Sequence, residues 1–436
     1  MNKDKLVNNG NSESFDGSSR SIESTEEDSF TESSQSEESI GDNINDDLKG
    51  EILIDKYVLI NRIGRGSFAV VWLSLNLQNG KYYAIKLQNH EDYDSGMEEV
   101  NHLKKFAKSN CQHINYLIEY FEYKVEEGVH ICMVFDLLAG SLYDIIKCGR
   151  YSKGLPLNIV KKITLQLLEA MDIINSKHEI LHTDIKPDNV LVCGVSNRIN
   201  EMITEVQNNK NLMSLTRKFK PSNSIKSSIK KCVNDLSFAT IKKKYAKGKT
   251  NVETISDQYI NNITTRLSDF GNCRDINYAR YDIQTRYYRA PEIMLGYKYN
   301  LTCDMWSVGC MIYELLFGEI LFDPGKIRRM NRDRNHICDI VSVLGKIPDR
   351  LINESRNKDV LYKKNGLLKW VYDIKYVPLY NIINKKMLEK GYSQEDIHLT
   401  IDLIYKLLDY DPFKRPIPKT ALQHKWFQNI TTNPKK

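Results

Sequence analysis

No run of apolar residues approaches the ~18 that a membrane-crossing helix needs, so a membrane-embedded class is not expected. The stretch from Met1 to Ser14 is polar and lacks the apolar segment of a signal peptide, which argues against secretion. The nine cysteines are scattered and form no CxxC pair. A disulfide framework or a structural zinc site is therefore not the organising device, and a reducing compartment is expected.

What is present is a chain of 436 residues, 27% charged and 41% hydrophobic, with a formal net charge of +6. At about 150 residues per domain this is enough for two or three lobes. The net charge conceals a division. Residues 1–50 hold 13 Asp/Glu, 4 Lys/Arg and 11 serines, a net of −9. Residues 194–266 hold 14 Lys/Arg and 5 Asp/Glu, a net of +9. The acidic tail has few apolar residues to offset the entropy of ordering it and reads as disordered. In it Ser24, Ser29 and Ser34 each precede a Glu by three residues, the spacing an acid-directed kinase would use. The basic insert also reads as mostly unstructured, with helical periodicity from Ile225 to Tyr245. Its run Lys242-Lys243-Lys244, with Lys247 and Lys249, suits a nucleic acid or a nuclear-import receptor, or is simply solvated.

The body starts near Tyr57. Alternation in Tyr57–Ile63, Val70–Leu75 and Lys81–Lys86 predicts short strands, and Asn79-Gly80 predicts a hairpin turn. A helix over Met97–Ala107 and a buried strand over His130–Phe135 follow. Leu157, Val160, Ile163, Leu167, Met171 and Ile174 recur every three or four residues, an amphipathic helix. Helical patterns dominate again from Cys303 to the end. Strands first and helices second give an α+β arrangement.

The chemistry lies in ordered loop motifs. Gly64-Arg65-Gly66-Ser67-Phe68-Ala69-Val70-Val71 sits between two strands, where glycines let backbone N–H groups approach phosphate oxygens. It does not open a helix, which argues against a dinucleotide fold. Lys86 ends an apolar strand, placed to hold phosphates, and Glu99 on the next helix is placed to pair with it. In His182-Thr183-Asp184-Ile185-Lys186-Pro187-Asp188-Asn189, Asp184 is placed to accept a hydroxyl proton and Lys186 to neutralise a transferring phosphoryl group. Asn189 and the Asp269 of Asp269-Phe270-Gly271 supply oxygens for a metal. Charge neutralisation and in-line positioning are what phosphoryl transfer asks of a protein.

The ordered set Gly64, Lys86, Glu99, Asp184, Asn189, Asp269 and Ala290-Pro291-Glu292 resembles a eukaryotic protein kinase. The resemblance runs from Tyr57 to about Phe427 and leaves 298 residues once the 73-residue insert is removed. It implies a bilobal α+β fold with a small β-rich N-lobe at about 57–138 and a larger helical C-lobe at about 139–427. A kinase domain over 51–427 would be interrupted by a disordered basic spacer at about 194–264 and flanked by tails at 1–50 and 428–436. ATP and Mg2+ are the implied cofactors, with Asp184, Lys186 and Thr285 catalytic and Asn189 and Asp269 at the metal. Ile63, Gly64, Arg65, Gly66, Ser67, Phe68, Ala69, Val70, Val71, Ala84, Lys86, Glu99, Phe135, Asp136, Leu138 and Leu191 fall at the family's nucleotide positions. Arg415 resembles the arginine that pairs with Glu292, Asp304 the carboxylate that braces the catalytic loop, and Lys186 within D-x-K-P implies a Ser/Thr acceptor.

A narrower resemblance is to SR protein kinases. It rests on His182-Thr183-Asp184-Ile185-Lys186-Pro187, His130-Ile131-Cys132-Met133-Val134-Phe135, Asp282-Ile283-Gln284-Thr285-Arg286, the placement of the insert, and the run from Leu344-Gly345-Lys346-Ile347-Pro348 to His424-Lys425-Trp426. The related LAMMER kinases carry a different stretch where this chain has Asn335 to Gly345. The resemblance implies Arg/Ser-rich RNA-processing factors as substrates, a monomer without membrane or direct nucleic-acid binding, and a cytoplasmic location with nuclear entry. Phe270 and Ala290-Pro291 depart from the SR pattern toward the general kinase one. Asn335 and Ser342 stand where the family's docking groove has acids, and Asp333 and Asp339 nearby are expected to substitute.

Regulation follows from residue types. Thr183 replaces the arginine that in many kinases holds an activation-loop phosphate, and threonine cannot form that charge-assisted pair. Between Gly271 and Thr285 the hydroxyls are Tyr278 and Tyr281, with no Ser or Thr. Activity without activation-loop Ser/Thr phosphorylation is expected, with Thr285 hydrogen-bonding Asp184 and Lys186. The alternatives are a Ser/Thr kinase of broader basic-substrate specificity, a pseudokinase scaffold, for which Ala69 and Thr183 speak, and a nucleic-acid binder acting through the insert.

Overall fold

A computed structural model describes residues 48–428 except 67, 148, 218, 246–254, 277–281, 326–331, 365–366 and 370–373. The acidic tail up to residue 47 with Ser24, Ser29 and Ser34, and also Ser67, Lys247, Lys249, Tyr278, Tyr281 and residues 429–436, lie outside the described residues.

The expected strands form and extend slightly. β1 (Ile52–Leu53), β2 (Tyr57–Arg65), β3 (Ala69–Asn76), β4 (Tyr82–Gln88), β5 (Glu119–Val125) and β6 (Gly128–Asp136) make one sheet in the order β1-β2-β3-β4-β6-β5. All its pairings are antiparallel. The β3–β4 turn is the Asn79-Gly80 hairpin: Gly80 has φ +69°, and Asn76 Oδ1 accepts the N–H groups of Gln78 and Asn79. α1 (Tyr93–Phe106) buries Val100, Leu103 and Phe106 in a cluster with Ile131 and Met133 of β6.

Side chains alternate between the sheet's faces. Val70, Trp72, Ile85 and Leu87 are buried on one face with Leu53 and Tyr57. Val58 and Ile60 of β2 and Leu73 and Leu75 of β3 belong to a separate cluster on the other.

That second cluster corrects the expectation of a disordered insert. β7 (Gly140–Ser141), α2 (Leu142–Ile146), α3 (Leu157–His178), β8 (Ile180–Leu181) and β9 (Val190–Val192) lead into it. The insert then forms α4 (Asn197–Asn208), α5 (Lys210–Arg217), α6 (Asn223–Asn234), α7 (Ala239–Lys244) and α8 (Asp257–Asn261). Each longer helix carries a short apolar stripe, and the sheet offers a matching face. Ile199, Met202, Val206, Leu212, Ile229 and Val233 are buried in one cluster with Val58, Ile60, Leu73 and Leu75. Burying each such side chain contributes roughly 1.5–3 kcal/mol, enough to outweigh the polar composition. Ser196 and Ser222 cap α4 and α6 by accepting the N–H groups of Ile199 and Ile225. Outward, Lys226 pairs with Asp55 and Lys230 with Glu51, so the chain before β2 is held against α6. Further on, Ile255, Ile260 and Ile263 are buried in the core of the second lobe. Tyr259 covers Gly194, whose φ is +112° and where a Cβ would lie 2.4 Å from the ring, so this position needs glycine.

The insert is therefore a packed part of the molecule, with a measurable consequence. Ile229→Asp places a carboxylate at a position with 0% exposure and should cost about 3 kcal/mol or more in urea denaturation. Lys231→Asp on the exposed side of the same helix should stay within about 0.5 kcal/mol. Equal effects of the two would restore the unstructured reading.

In the second lobe, α3 buries the predicted stripe of Leu157, Val160, Ile163, Leu167, Met171 and Ile174. β10 (Thr265–Leu267) pairs with β9, and β11 (Arg274–Asp275) with β8. α9 (Pro291–Leu295) and α10 (Cys303–Phe317) follow, the latter buried at every residue. α11 (Arg332–Leu344) and the helix Gln394–Leu407 complete the wall of the core, and no described helix is long and apolar enough to cross a membrane.

Candidate active site

Ile85 and Leu87 point into the outer-face cluster, so their neighbour Lys86 points toward the cleft. Its Nζ lies 2.7 Å from Glu99 Oε2 and 2.8 Å from Asp269 Oδ1. Burial works against the charge of Lys86, but the Asp269 and Glu99 carboxylates outweigh it and hold its pKa above the ordinary value. Asp269 is held low, chiefly by Lys86, whereas burial pushes Glu99 up against the pull of the same lysine.

The catalytic loop hangs from α10. Asp304, fully buried, accepts the N–H of His182 at 2.7 Å and of Thr183 at 3.0 Å. Burial pushes its carboxyl up to about 7, against the pull of those two donors. His182 Nε2 lies 3.0 Å from the Ser268 carbonyl and its Nδ1 takes the Asp184 N–H at 3.3 Å, which assigns the proton to Nε2. Burial lowers its pKa and keeps the ring neutral. The ring also packs edge-on against Phe270, which packs in turn against Phe106 of α1.

Asp184 is held from several sides. Its Oδ1 accepts the Thr285 hydroxyl at 2.6 Å. Its Oδ2 faces Lys186 Nζ at 2.8 Å and Asn189 Nδ2 at 3.0 Å. Lys186 Nζ also donates to Thr285 Oγ1 at 3.0 Å, closing a triangle. Burial disfavours the Lys186 charge, but Asp184 more than compensates and its pKa is raised. Thr183, Asp269 and Gln284 all have positive φ, of +64°, +62° and +70°, so the site stores backbone strain of order 1–3 kcal/mol per residue.

Described residues on the acceptor side bond the surrounding backbone. Thr183 Oγ1 donates to the Asn272 carbonyl at 2.6 Å. The Gln284 amide donates to the Cys303 carbonyl at 2.9 Å and Ser307 Oγ at 3.1 Å, and its oxygen accepts the Ala290 N–H at 2.8 Å. Arg415 makes two 2.6 Å bonds to the Glu292 carboxylate, both side chains buried. A lysine-anchored carboxylate, a loop carboxylate with its lysine, and an acceptor-side hydroxyl thus converge in one cleft.

Comparison with known proteins gives the same answer from outside. The protein kinase domain matches residues 57–200 and 254–427. The chain belongs to the protein kinase family. Among its relatives, it is 28% identical to a serine/threonine-protein kinase SRPK of Physarum polycephalum, over 87% of this chain and 88% of that one. It is 25% identical to the protein kinase dsk1 of Schizosaccharomyces pombe, over 86% and 81%. It is 27% identical to the serine/threonine-protein kinase AFC3 of Arabidopsis thaliana, over 86% and 83%. This kinase is accordingly a serine/threonine protein kinase of the SRPK, CLK and dsk1 type, with ATP as its phosphoryl donor.

The kinase places the other nucleotide-site residues as follows. Gly64 and Arg65 pair with Val71 and Val70 across a register shift in the β2–β3 hairpin, and Gly66 N–H bonds the Ala69 carbonyl at 2.9 Å. Ile63 and Val71 are half-buried and Phe68 is exposed. Val70 turns to the far face with Trp72, so of its groups only the backbone faces the hairpin. Ala84 pairs with Phe135, which is buried, while Asp136 is exposed and holds Arg266 at 2.8 Å. Leu138 and Leu191 are half-buried, and β9 sets Leu191 opposite Arg266.

Asn189 and Asp269 fit a hard divalent cation. The Ser268 N–H bonds the Asn189 carbonyl at 2.9 Å, so the two oxygen-bearing side chains stem from adjoining backbone. Among the described residues no group of three or more His, Cys, Asp or Glu forms a closed metal cage. An ion held here would complete its shell with phosphate and water oxygens, as Mg2+ does. Its contribution would be to neutralise phosphate charge.

The expected docking acids both lie on α11. Asp333 forms an ion pair with Arg286, one residue after Thr285. Asp339 is half-buried and pushed up to about 6 by burial and then by Asp323. Asn335 Nδ2 donates to the Gly325 carbonyl at 2.8 Å and Ser342 Oγ to the Asp339 carbonyl at 2.6 Å. The motifs assign no function to Gln284 or Ser307. Their signal was a polar residue beside Thr285 and a serine within an otherwise apolar helix, each placed to bond a backbone turn.

Proposed function

We propose that this kinase transfers the terminal phosphoryl group of Mg·ATP to serine in basic, arginine-containing proteins, Arg/Ser-rich RNA-processing factors among them, and that it does so without modification of its activation segment. The observation that carries this reading is the Thr285–Asp184–Lys186 triangle, assembled beside Thr183, whose hydroxyl donates to the Asn272 carbonyl. Asp184 takes the acceptor's proton as its oxygen attacks. Lys186 and Lys86 offset the negative charge on the transferring and remaining phosphates. Thr285 fixes the Asp184 rotamer. The SRPK and dsk1 relatives support the substrate class.

A second reading, broader specificity for basic substrates, is favoured by α11. Asn335 and Ser342 replace acids there and are spent on backbone carbonyls, which weakens attraction for a long Arg-rich segment.

Unphosphorylated recombinant protein given Mg·ATP and two peptides, Arg-Ser repeats and their Lys-Ser counterparts, separates these readings. Labelling of the arginine peptide at least about tenfold faster is the expected result. Equal labelling would favour the broader specificity. Activity that appears only after an upstream kinase acts would overturn unmodified activity.

A further inference from the structure

The packing of the insert fixes where its charges stand. α4, α5 and α6 bury Met202, Leu212, Ile229 and Val233 against the sheet. A helix that buries one face turns the opposite face to solvent, so the lysines occupy set positions on the outside. From Asn197 to Tyr245 the chain holds eleven Lys/Arg and three Asp/Glu. Three of the lysines are answered by carboxylates: Lys226 by Asp55, Lys230 by Glu51 and Lys244 by Glu201. Lys220, Lys231, Lys242 and Lys243 are exposed and form no ion pair among the described residues. Lys231 lies in the last turn of α6, and α7 ends on Lys242-Lys243-Lys244. Lys49, from the chain before β1, reaches the same place and donates to the Leu236 carbonyl at 2.8 Å. Burial and the nearby Lys242 ammonium lower its pKa, against the pull of Asp235, so like charges are crowded where α6 meets α7.

What this face lacks narrows its partner. Among the described residues, none of the large exposed hydrophobic side chains belongs to the insert helices. A protein partner would need apolar or aromatic anchors at the centre of its footprint. A membrane surface would need the apolar stripes that these helices have already buried. Between the lysines stand Ser227, Asn234 and Ser237, all exposed. Lysine interspersed with serine and asparagine is a composition that contacts phosphate oxygens in polar, hydrated interfaces. Lysine brings a point charge without the planar fork that reads a base edge.

We propose that the outer face of the insert, around Lys231, Lys242 and Lys243, holds the phosphate backbone of a nucleic acid without reading its sequence. This is a second function beside phosphoryl transfer, and none of its lysines belongs to the catalytic cluster. It replaces the expectation, drawn from the resemblance, of no direct nucleic-acid contact.

The test uses the full-length kinase and fluorescence anisotropy with two labelled probes of mixed sequence, a single-stranded RNA and a duplex DNA. A Kd of roughly 1–100 µM is expected near physiological salt. Between about 50 and about 200 mM KCl, affinity for the RNA should fall roughly 20- to 50-fold, the response of three or four neutralised phosphates. Lys231→Gln/Lys242→Gln/Lys243→Gln should weaken binding at least about tenfold at the lower salt and flatten the salt response to about threefold or less. Its transfer rate and urea midpoint should match the parent's, since the three side chains are exposed. Lys375→Gln/Lys414→Gln/Lys419→Gln removes the same charge from exposed positions outside the insert and should leave RNA binding within about twofold. Tighter binding of one probe, lost only in the insert variant, upholds the proposal and names the nucleic acid. No binding of either probe at the lower salt with protein at about 100 µM overturns it. Equal losses in the two triple variants overturn it as well, because net charge alone would then account for the binding. Displacement of the probe by poly-glutamate as readily as by unlabelled RNA overturns it in favour of an acidic protein partner. The kinase reading is untouched by each of these results, since it is judged by the peptide assay.

Discussion

Asp184→Asn is expected to lower kcat about a thousandfold while leaving ATP affinity within a few-fold of the parent. The substitution is nearly isosteric. It keeps an oxygen for Thr285 Oγ1, which donates at 2.6 Å, but removes the charge that faces Lys186 Nζ at 2.8 Å and the second acceptor used by Asn189. What is lost is the group able to take a proton, together with the anion that keeps Lys186 charged in a buried setting. Nucleotide affinity depends on different groups, with Lys86 held by Glu99 and Asp269. Thr285→Val leaves the carboxylate in place and removes one neutral donor, so its effect should be smaller, about ten- to a hundredfold. Single-turnover transfer and fluorescent-nucleotide binding on the same preparations measure both quantities. Residual transfer above a tenth of the parent in Asp184→Asn would remove Asp184 from the reaction. Parent protein that binds but never turns over ATP would revive the scaffold reading.

The residues in this cleft were legible because each motif is local. Asp184, Lys186 and Asn189 share eight residues of chain, and the β4 alternation alone turns Lys86 toward the cleft. The stripe from Leu157 to Ile174 is long enough for its period to stand out, and all six of its members are buried. The insert was not legible for the opposite reason. Its stripes, such as Ile199, Met202 and Val206, are only three residues long and sit among Asn, Lys and Ser. Their partner, the face made by Val58, Ile60, Leu73 and Leu75, is more than a hundred residues away in the chain. Composition reports what a segment could bury alone, and these helices bury their faces on something else. Val70 shows the same limit at smaller scale. It belongs to the glycine motif by sequence, but strand alternation places its side chain with Trp72 on the far face. Gln284 and Asp333 depend on contacts with Cys303, Ser307 and Arg286 that only the folded chain brings together.

Arg415→Met should destabilise the kinase by about 3–5 kcal/mol, the largest stability loss expected from a single change here. The Arg415 guanidinium is 0% exposed and the Glu292 carboxylate 1%. Two 2.6 Å bonds join them. Arg415 Nε also donates to the Asp409 carbonyl at 2.6 Å, and the guanidinium stacks over Trp306 at 5.1 Å. Removing the arginine leaves a buried anion with no cation, which costs far more than the pair contributes net. The double variant Glu292→Leu/Arg415→Met removes both charges, so it should recover part of the loss. It should not recover all of it, because the Asp409 carbonyl still lacks its donor. Arg415→Lys should fall between, since an ammonium cannot hold both carboxylate oxygens in the same plane. Glu292 sits in α9, directly after the segment that carries Gln284 and Thr285. The single variant should therefore also lose activity below its unfolding midpoint. Urea titrations of the four proteins, with transfer rates measured in parallel, give both readings. A single variant no less stable than the double would mean that Glu292 finds another partner or takes up a proton, and that the pair does not anchor the segment.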